Sequence, residues 1–521
     1  MKEVIKKVLN TIKELGKLNL FILIIYSILV IIIAMKHELS QDEIQSWLIA
    51  RDLNFIDIIK QMQYEGHSFL WHYIIAPFAK LGFSVNSQKI ITCLFAISTI
   101  FIILKKAPFN KFIKILLVFS GGMIYYYSVF ARPYCMIPFL LACIASIYNK
   151  KKEHPYIYAI LVGLLAHTHI IMLPTSFLLM VTFWGEELIK TRKQKGTKER
   201  KILFKSLCIV SSLILTYIVI AIIGYYNCKI IVKAIEYDSF KTLIPNAIEL
   251  IKKAWLDANS KYYGIYNLYG NYIEIPKYYN FVIFGILMLC ALGTIKSFKQ
   301  GIIFWSQYIF MLLLHSFCWF TLPIRTIIII YTLMFWVWTY KYENQYKNNK
   351  FNNYFIETAL VFFIIATIPG IYKCVYNDIN KNYSSGEITA KYIRKNIPKK
   401  SVFINIERDF SQLLAGYLNK DDYKFYMANA KRYITFNTWD NTHRTPITSE
   451  LILESIKKLE KEYDNVYLLV LGLYENSLIP EYYIEDILNI EIELEYSTNS
   501  NEMMNGKYVY DQIYFDIYKV I

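Results

Sequence analysis

Cysteine is scarce and poorly placed for covalent bracing. There are 8 cysteines, none follows Cys374, and no two stand as C-x-x-C. That excludes a disulfide framework and a paired-cysteine metal site. The opening stretch MKEVIKKVLNTIKELGKL has no A-x-A-like cleavage site, so it reads as a retained cytoplasmic leader and not as a cleaved signal peptide. Beyond residue 375 there is neither G-x-G-x-x-G nor a P-loop, which leaves nucleotide binding without support. No internal repeat is visible, against the paired halves of a secondary transporter. Acidic residues are few, 41 against 57 Lys and Arg, for a net charge of +16. The surplus sits mostly in the short loops Lys105–Lys114, Lys150–Lys152, Lys190–Lys205, Lys296–Lys299 and Lys341–Lys350. Positive charge flanking apolar runs marks the cytoplasmic side of a membrane protein. Nucleic acid is therefore not an expected partner.

What is abundant is apolar. Hydrophobic residues make up 55% of the 521, and the mean hydropathy is +0.31, too apolar for a soluble chain. Runs close to the roughly 20 residues that a bilayer crossing needs occur at 19–35, 88–104, 112–130, 133–149, 205–224, 279–297, 301–320, 325–340 and 354–372. The run 156–184 is too long for one crossing and holds AHTHIIMLP in its middle. It reads as two short spans meeting near His167–Pro174, which brings the total to roughly eleven crossings. With the basic loops inside, the N-terminus is cytoplasmic. Segments 36–66, 131–132, 167–174, 225–278, 321–325 and everything after about 373 then lie outside. SFLWHYIIAPFAKLGF (68–83) reads as a juxtamembrane or re-entrant helix, because a full crossing there would invert every later loop.

After 375 the composition changes. Helical patterns at 386–398 and 449–464 alternate with strand-like SVFINI (401–406), RYITF (432–436) and NVYLLVLG (465–472). This alternation predicts a small α/β domain with a binding or capping role. The expected organisation is a transmembrane catalytic domain over 1–374 and a soluble extracytoplasmic α/β domain over 375–521.

The unexpected polar residues gather on the outer side. HELSQDEIQSW follows the first apolar run at once and carries Glu38, Asp42 and Glu43. SQDE also suits a helix start, and the helix is expected to run from Glu43 to about Lys60. Carboxylates so close to the bilayer can act on a lipid-held substrate while staying in water. His67 and His72 flank a short apolar stretch, and His167 and His169 interrupt a hairpin. Arg132 and Arg325 stand at outer span ends, where a charge is costly and usually functional. The plain alternatives are capping, interfacial packing and snorkelling. The long loop 225–278 is Tyr-rich, as in KYYGIYNLYGNYIEIPKYY (261–279), either an interfacial belt or a lid.

In this order the features resemble the GT-C superfamily of membrane glycosyltransferases. More narrowly they are similar to the branch of protein O-mannosyltransferases and lipid A aminoarabinose transferases (glycosyltransferase family 39-like). Asp42-Glu43 matches that branch's acidic motif in the first outer loop. EGHSFLWHY (65–73) matches its His-Pro-Pro-Leu element, with Ser68 and Phe69 in place of the prolines. YSVFARPY (127–134) keeps Tyr127, Ser128, Ala131, Arg132 and Tyr134 of a Tyr-Ser-Arg-x-Ala-Arg-x-Tyr motif. LLAHTH (164–169) and Arg325 match a polar hairpin turn and a late arginine.

The resemblance implies a polytopic α-helical membrane protein of about 11–12 transmembrane helices with the GT-C fold. It implies an inverting glycosyltransferase that moves a sugar from a polyprenyl-phosphate donor to the hydroxyl of a glycan, lipid or protein acceptor at the outer membrane face. Asp42 is then the general base, with Glu43 second. Arg132, Arg325 and Tyr134 meet the donor phosphate, Lys229 and Lys233 are further cations, and His67, His167 and His169 bind substrate. No cofactor is required. A divalent metal stays open, with Glu38, Asp42 and Glu43 as oxygen ligands. A cell-envelope polysaccharide polymerase and a lipid-linked sugar flippase or transporter remain the alternatives.

Overall fold

In this computed structural model, residues 14–193, 196–228, 278–317, 323–343, 350–382, 384–406, 411–440, 445, 447–472, 490–498, 508–509 and 514–521 are described. Among the described residues helix α1 (Lys17–Lys36) comes first, followed by the short helices α2 (Gln41–Asp52), α3 (Phe55–Gln61) and α4 (Leu70–Lys80), then the long α5 (Ser87–Lys106). Among the described residues four helices are long and apolar enough to cross a membrane: Lys17–Lys36, Ser87–Lys106, Ile170–Lys190 and Lys198–Gly224. Pro155–Ala166, Phe281–Thr294 and Tyr354–Ile368 are apolar but shorter. The chain is thus a mainly helical protein of membrane character with a small sheet near its C-terminal end.

Local chemistry explains where the helices break. The single helix expected from Glu43 to about Lys60 is two. α2 stops at Leu53, and the Asn54 carboxamide accepts from Ile56 N (3.0 Å) and Asp57 N (2.9 Å), which starts α3 afresh. The apolar run 112–130 is not one helix either. Lys111–Val118 ends, and Gly122–Tyr126 forms a wider, π-type turn. A side chain on Gly122 would collide with the Tyr331 ring, so glycine permits this close approach. The run 156–184 breaks at His167–His169, between Pro155–Ala166 and the turn that begins at Ile170. α4 has 11 residues with Pro77 inside it, too short for a bilayer crossing.

The C-terminal sheet has six strands: β1 (Ser401–Asn405), β2 (Tyr423–Met427), β3 (Arg432–Ile434), β4 (Val466–Gly472), β5 (Ile492–Ser497) and β6 (Tyr514–Val520). Their spatial order is β3-β2-β1-β4-β6-β5. β1 runs parallel to both neighbours, with Ser401 opposite Tyr423 and Val402 opposite Val466; the outer pairings are antiparallel. The central strands are apolar on both faces because both faces are covered. Val402, Ile404 and Leu468 pack with Ile452 and Ile456 of the helix Ser449–Leu459. On the other face Phe403 stacks on Phe425 (5.4 Å) and Tyr467 (5.3 Å), and this layer is continuous with the helical body.

That continuity runs through α2. Gly416 lies so close to Ile44 that a Cβ there would strike the isoleucine. Arg51 Nη1 donates to Ala415 O (3.2 Å), and Gln45 exchanges bonds with Asn437, Nε2 to O at 2.7 Å and N to Oε1 at 2.9 Å. Asp52 accepts from Thr435 Oγ1 (2.6 Å), Lys420 Nζ (3.0 Å) and Arg51 Nε (2.9 Å). Burial opposes ionisation of Asp52, but these donors, Arg51 foremost, hold its carboxyl below the ordinary range. The segment after α1 and the sheet domain therefore pack together, and the topology expected from the sequence puts both on the side away from the basic loops. In a cysteine-free background, Glu450→Cys should react with an impermeant maleimide in intact cells, and Lys152→Cys only after permeabilisation. The reverse pattern would overturn that topology.

Candidate functional site

α2 begins at Ser40, and its first turn carries two adjacent carboxylates. Successive helical residues point about 100° apart, and the two meet opposite fates. Glu43 is fully buried. Its Oε2 accepts from Ser40 N (2.8 Å), Ser40 Oγ (2.7 Å) and His37 Nε2 (3.1 Å), and its Oε1 accepts from Ala131 N (2.7 Å). An ionised carboxylate has about four acceptor positions, and here all are filled. His37 Nδ1 reaches Asp378 Oδ2 at 2.8 Å, so both ring nitrogens donate and His37 is a cation between two anions. Burial works against that charge, but Asp378 and Glu43 together raise it to about 10. Burial likewise opposes the charge on Glu43, and His37 and Ser40 hold its carboxyl below the ordinary range.

Asp42 faces the other way. Its side chain is 71% exposed and forms an ion pair with Arg132 Nη1. Arg132 lies in the turn that Glu43 pins through Ala131. Pro133 follows it, and the residue before a proline favours extended backbone; Arg132 has φ −128° and ψ 161°. That conformation carries the guanidinium to the N-terminal turn of α2. Arg132 Nε is buried with no hydrogen-bond partner among the described residues.

Arg325 reaches the same place from a distant segment. Tyr127 Oη donates to Ile324 O (2.7 Å) and so ties the two segments together. Arg325 Nε donates to Tyr134 Oη at 3.2 Å. His169 Nδ1 accepts from Ile171 N (3.2 Å), which assigns its ring proton to Nε2, 3.0 Å from Tyr134 Oη. The Tyr134 oxygen thus accepts twice, and its own O–H has no acceptor among the described residues. A phenol held in this way presents a proton to a ligand beside two guanidinium groups.

Glu65, not singled out from the sequence, closes the other side. It is half-buried and accepts from Gln45 Nε2 (3.1 Å). Burial raises its carboxyl to about 7, with the Asp42 charge adding to the rise while Gln45 and Arg132 oppose it. His67 stacks on His72 at 5.2 Å. Burial, and then Arg132, push His67 down to about 3, so it stays neutral beside the arginine. Both ring nitrogens of His72 are buried without a partner among the described residues.

The sequence candidates therefore separate into groups. Asp42, Arg132, Tyr134, Arg325, His67 and His169 converge on one polar cluster. His167 does not face it. His167 Nε2 donates to Leu213 O (2.8 Å), which leaves Nδ1 to accept from Ser68 Oγ (2.6 Å), so its role is to brace. Ser68 supplies that anchor at a position where the resembling family carries proline. Glu43 also braces. Glu38 turns away to accept from Ser384 N (3.2 Å) and Oγ (3.3 Å). Glu38, Asp42 and Glu43 thus point apart, and no three His, Cys, Asp or Glu converge as a metal site among the described residues. Lys229, Lys233 and the Tyr-rich part of the loop lie outside the described residues. No protein-family model matches this chain, and the curated proteins yield no match.

The two carboxylates should respond differently to removal of charge. Glu43→Gln leaves His37 buried beside Asp378 alone and should cost about 3–5 kcal/mol of stability. Asp42→Asn should change stability by no more than about 1 kcal/mol. The His37 contribution is fully present below its ordinary value of 6.5 and is lost as pH rises through about 10. The Glu43 contribution is present above its ordinary 4.5 and is lost as pH falls below it. Thermal unfolding in detergent across pH 4–11 reads both limbs. Equal stability losses in the two variants would refute the division of roles.

Proposed function

We propose that this protein is an inverting glycosyltransferase that takes a sugar from a polyprenyl-phosphate donor at the outer membrane face and transfers it to an acceptor hydroxyl. We place the N-terminus in the cytoplasm and residues 375–521 outside. The observation that carries this reading is the Asp42–Arg132 ion pair at the start of α2, with the Arg325–Tyr134–His169 chain beside it. One exposed carboxylate next to two arginines and an unspent phenol proton suits a reaction that must deprotonate an alcohol and receive a phosphate.

The chemistry follows from these groups. The acceptor oxygen attacks the anomeric carbon while the bond from that carbon to the donor phosphate breaks. The electron pair leaves with the phosphate, and the acceptor proton passes to Asp42. Arg132, Arg325 and the Tyr134 O–H receive the charge that develops on the phosphate. Arg suits this task through its planar fork of donors. While Arg132 is paired with Asp42 the guanidinium occupies the carboxylate. An arriving phosphate competes for the guanidinium and frees the base at the moment it is needed. The resemblance to the GT-C branch points to the same class of donor.

Turnover is measured as polyprenyl phosphate released from a panel of polyprenyl-phosphate hexoses and pentoses. Asp42→Asn should lower it by about 10²–10⁴-fold with donor binding retained. Arg132→Ala should weaken donor binding, and Arg132→Lys should restore little. Near-normal turnover in Asp42→Asn would refute the base assignment, and no release from any donor would refute the reading as a whole.

Glu65 adds a pH dependence. Ionised Glu65 places a second negative charge beside Arg132 and competes with the phosphate. The donor KM should therefore rise as pH increases through about 7, and Glu65→Gln should remove that rise. A KM profile unchanged by the substitution would separate Glu65 from the donor site.

A further inference from the structure

A cavity lies apart from this cluster. It encloses about 660 Å³ between the outer end of α1, the start of α5 and the sheet domain, a volume within the usual range for a ligand site. Neither Asp42, Arg132 nor Arg325 lines it. Its lower part is apolar, formed by Ile31, Met35, Ile90, Leu94 and Ile97 of two candidate membrane spans. Its upper part carries Lys36, Lys89, Asn86, Lys391 and Asn382. The two carboxylates of the lining are occupied. Glu387 pairs with Lys391 at 2.9 Å, and Glu38 accepts from Ser384. Lys89 Nζ donates to His37 O at 2.5 Å, and Lys36 has no carboxylate partner among the described residues. The His37 ring charge is answered by Glu43 and Asp378, so three lysines face two carboxylates and the surplus is positive.

We infer that this groove binds an anionic membrane lipid. The phosphate sits among Lys36, Lys89 and Asn86, and one hydrocarbon chain lies along Ile90, Leu94 and Ile97. Two features favour a bilayer lipid as the occupant. The apolar-below, cationic-above order follows two helices at the end of their apolar runs, where a lipid has the same order. The sheet domain roofs the groove through Asn382, Ile388 and Lys391, which a lipid free in the bilayer would not meet. The site is independent of the chemistry assigned to Asp42. His37 forms part of its wall and, through Glu43, touches the turn that holds Arg132.

The test is native mass spectrometry of the purified full-length protein in detergent, with phosphatidylglycerol, phosphatidylcholine, polyprenyl phosphate and inorganic phosphate as separate probes. Phosphatidylglycerol should be retained over phosphatidylcholine, and Lys36→Gln should reduce its retention about 5-fold. Leu94→Trp, which fills the groove, should abolish retention. Leu94→Ala, which leaves the groove open, should preserve it and so controls for folding. Arg132→Ala should retain phosphatidylglycerol as the wild type does, whatever becomes of turnover. Equal retention of phosphatidylcholine, indifference to Leu94→Trp, or loss of the lipid in Arg132→Ala would each overturn the inference. Preference for polyprenyl phosphate over phosphatidylglycerol would overturn the assignment to a bilayer lipid, as would displacement of the lipid by millimolar inorganic phosphate.

Discussion

The carboxylate of Glu43 is the joint on which the face around α2 depends. With four donors on two oxygens it gathers the end of α1, the start of α2 and the turn before Arg132 around one charge. His37 extends the joint to Asp378 at the far end of the helix Lys350–Asn380. A buried charge is tolerated only when it is paired and its hydrogen bonds are met. The charge therefore holds these segments in one arrangement: any slip of α2 would leave a cation or an anion unanswered inside the protein. The same joint leaves Asp42, one residue away, on the open side of the helix beside Arg132.

The proposed chemistry and the packing set two demands on this region that conflict locally. A rigid mount needs saturated carboxylates, whereas a base needs an accessible one with spare acceptor capacity. Adjacent helical positions resolve the conflict because they point about 100° apart. Tyr134 shows the same economy with a phenol. Two donors hold its oxygen, and its proton has no acceptor among the described residues.

Much of this was legible in the sequence. The helix start at SQDE, the break at AHTH and the strands SVFINI, RYITF and NVYLLVLG all lie within about two residues of where they were expected. β2, β5 and β6 were missed because YKFYM, IELEYS and YFDIYKV look like the rest of a Tyr-, Glu- and Lys-rich chain. The run 112–130 was read as one span because its apolar content continues through Gly122, where packing against Tyr331 imposes a wide turn. The acidic pair pointed to Asp42 as the base with Glu43 second, but held no reason for Glu43 to be fully buried. That depended on Ala131 N and Asp378, groups with no local signal near Glu43. Glu65 was overlooked because its partner Gln45 lies 20 positions away and on another helix. That His167 turns its ring to Leu213 and Ser68 was not legible, because a histidine in a hairpin gives no sign of which way its ring faces.

The contacts that complete this face join segments far apart in the chain. His37 meets Asp378 across 341 positions, and Gln45 meets Asn437 across 392. During synthesis the N-terminal partners emerge first, and their counterparts follow only when nearly the whole polypeptide has been made. Contacts of such long sequence separation form late and slowly. Until then Glu43 and Asp52 lack several of their donors, and α2 has no roof. The polar cluster is thus among the later parts of the molecule to mature, and a chain that stalls or is clipped before residue 378 carries most of the described helices but lacks the Asp378 that completes the His37–Glu43 joint.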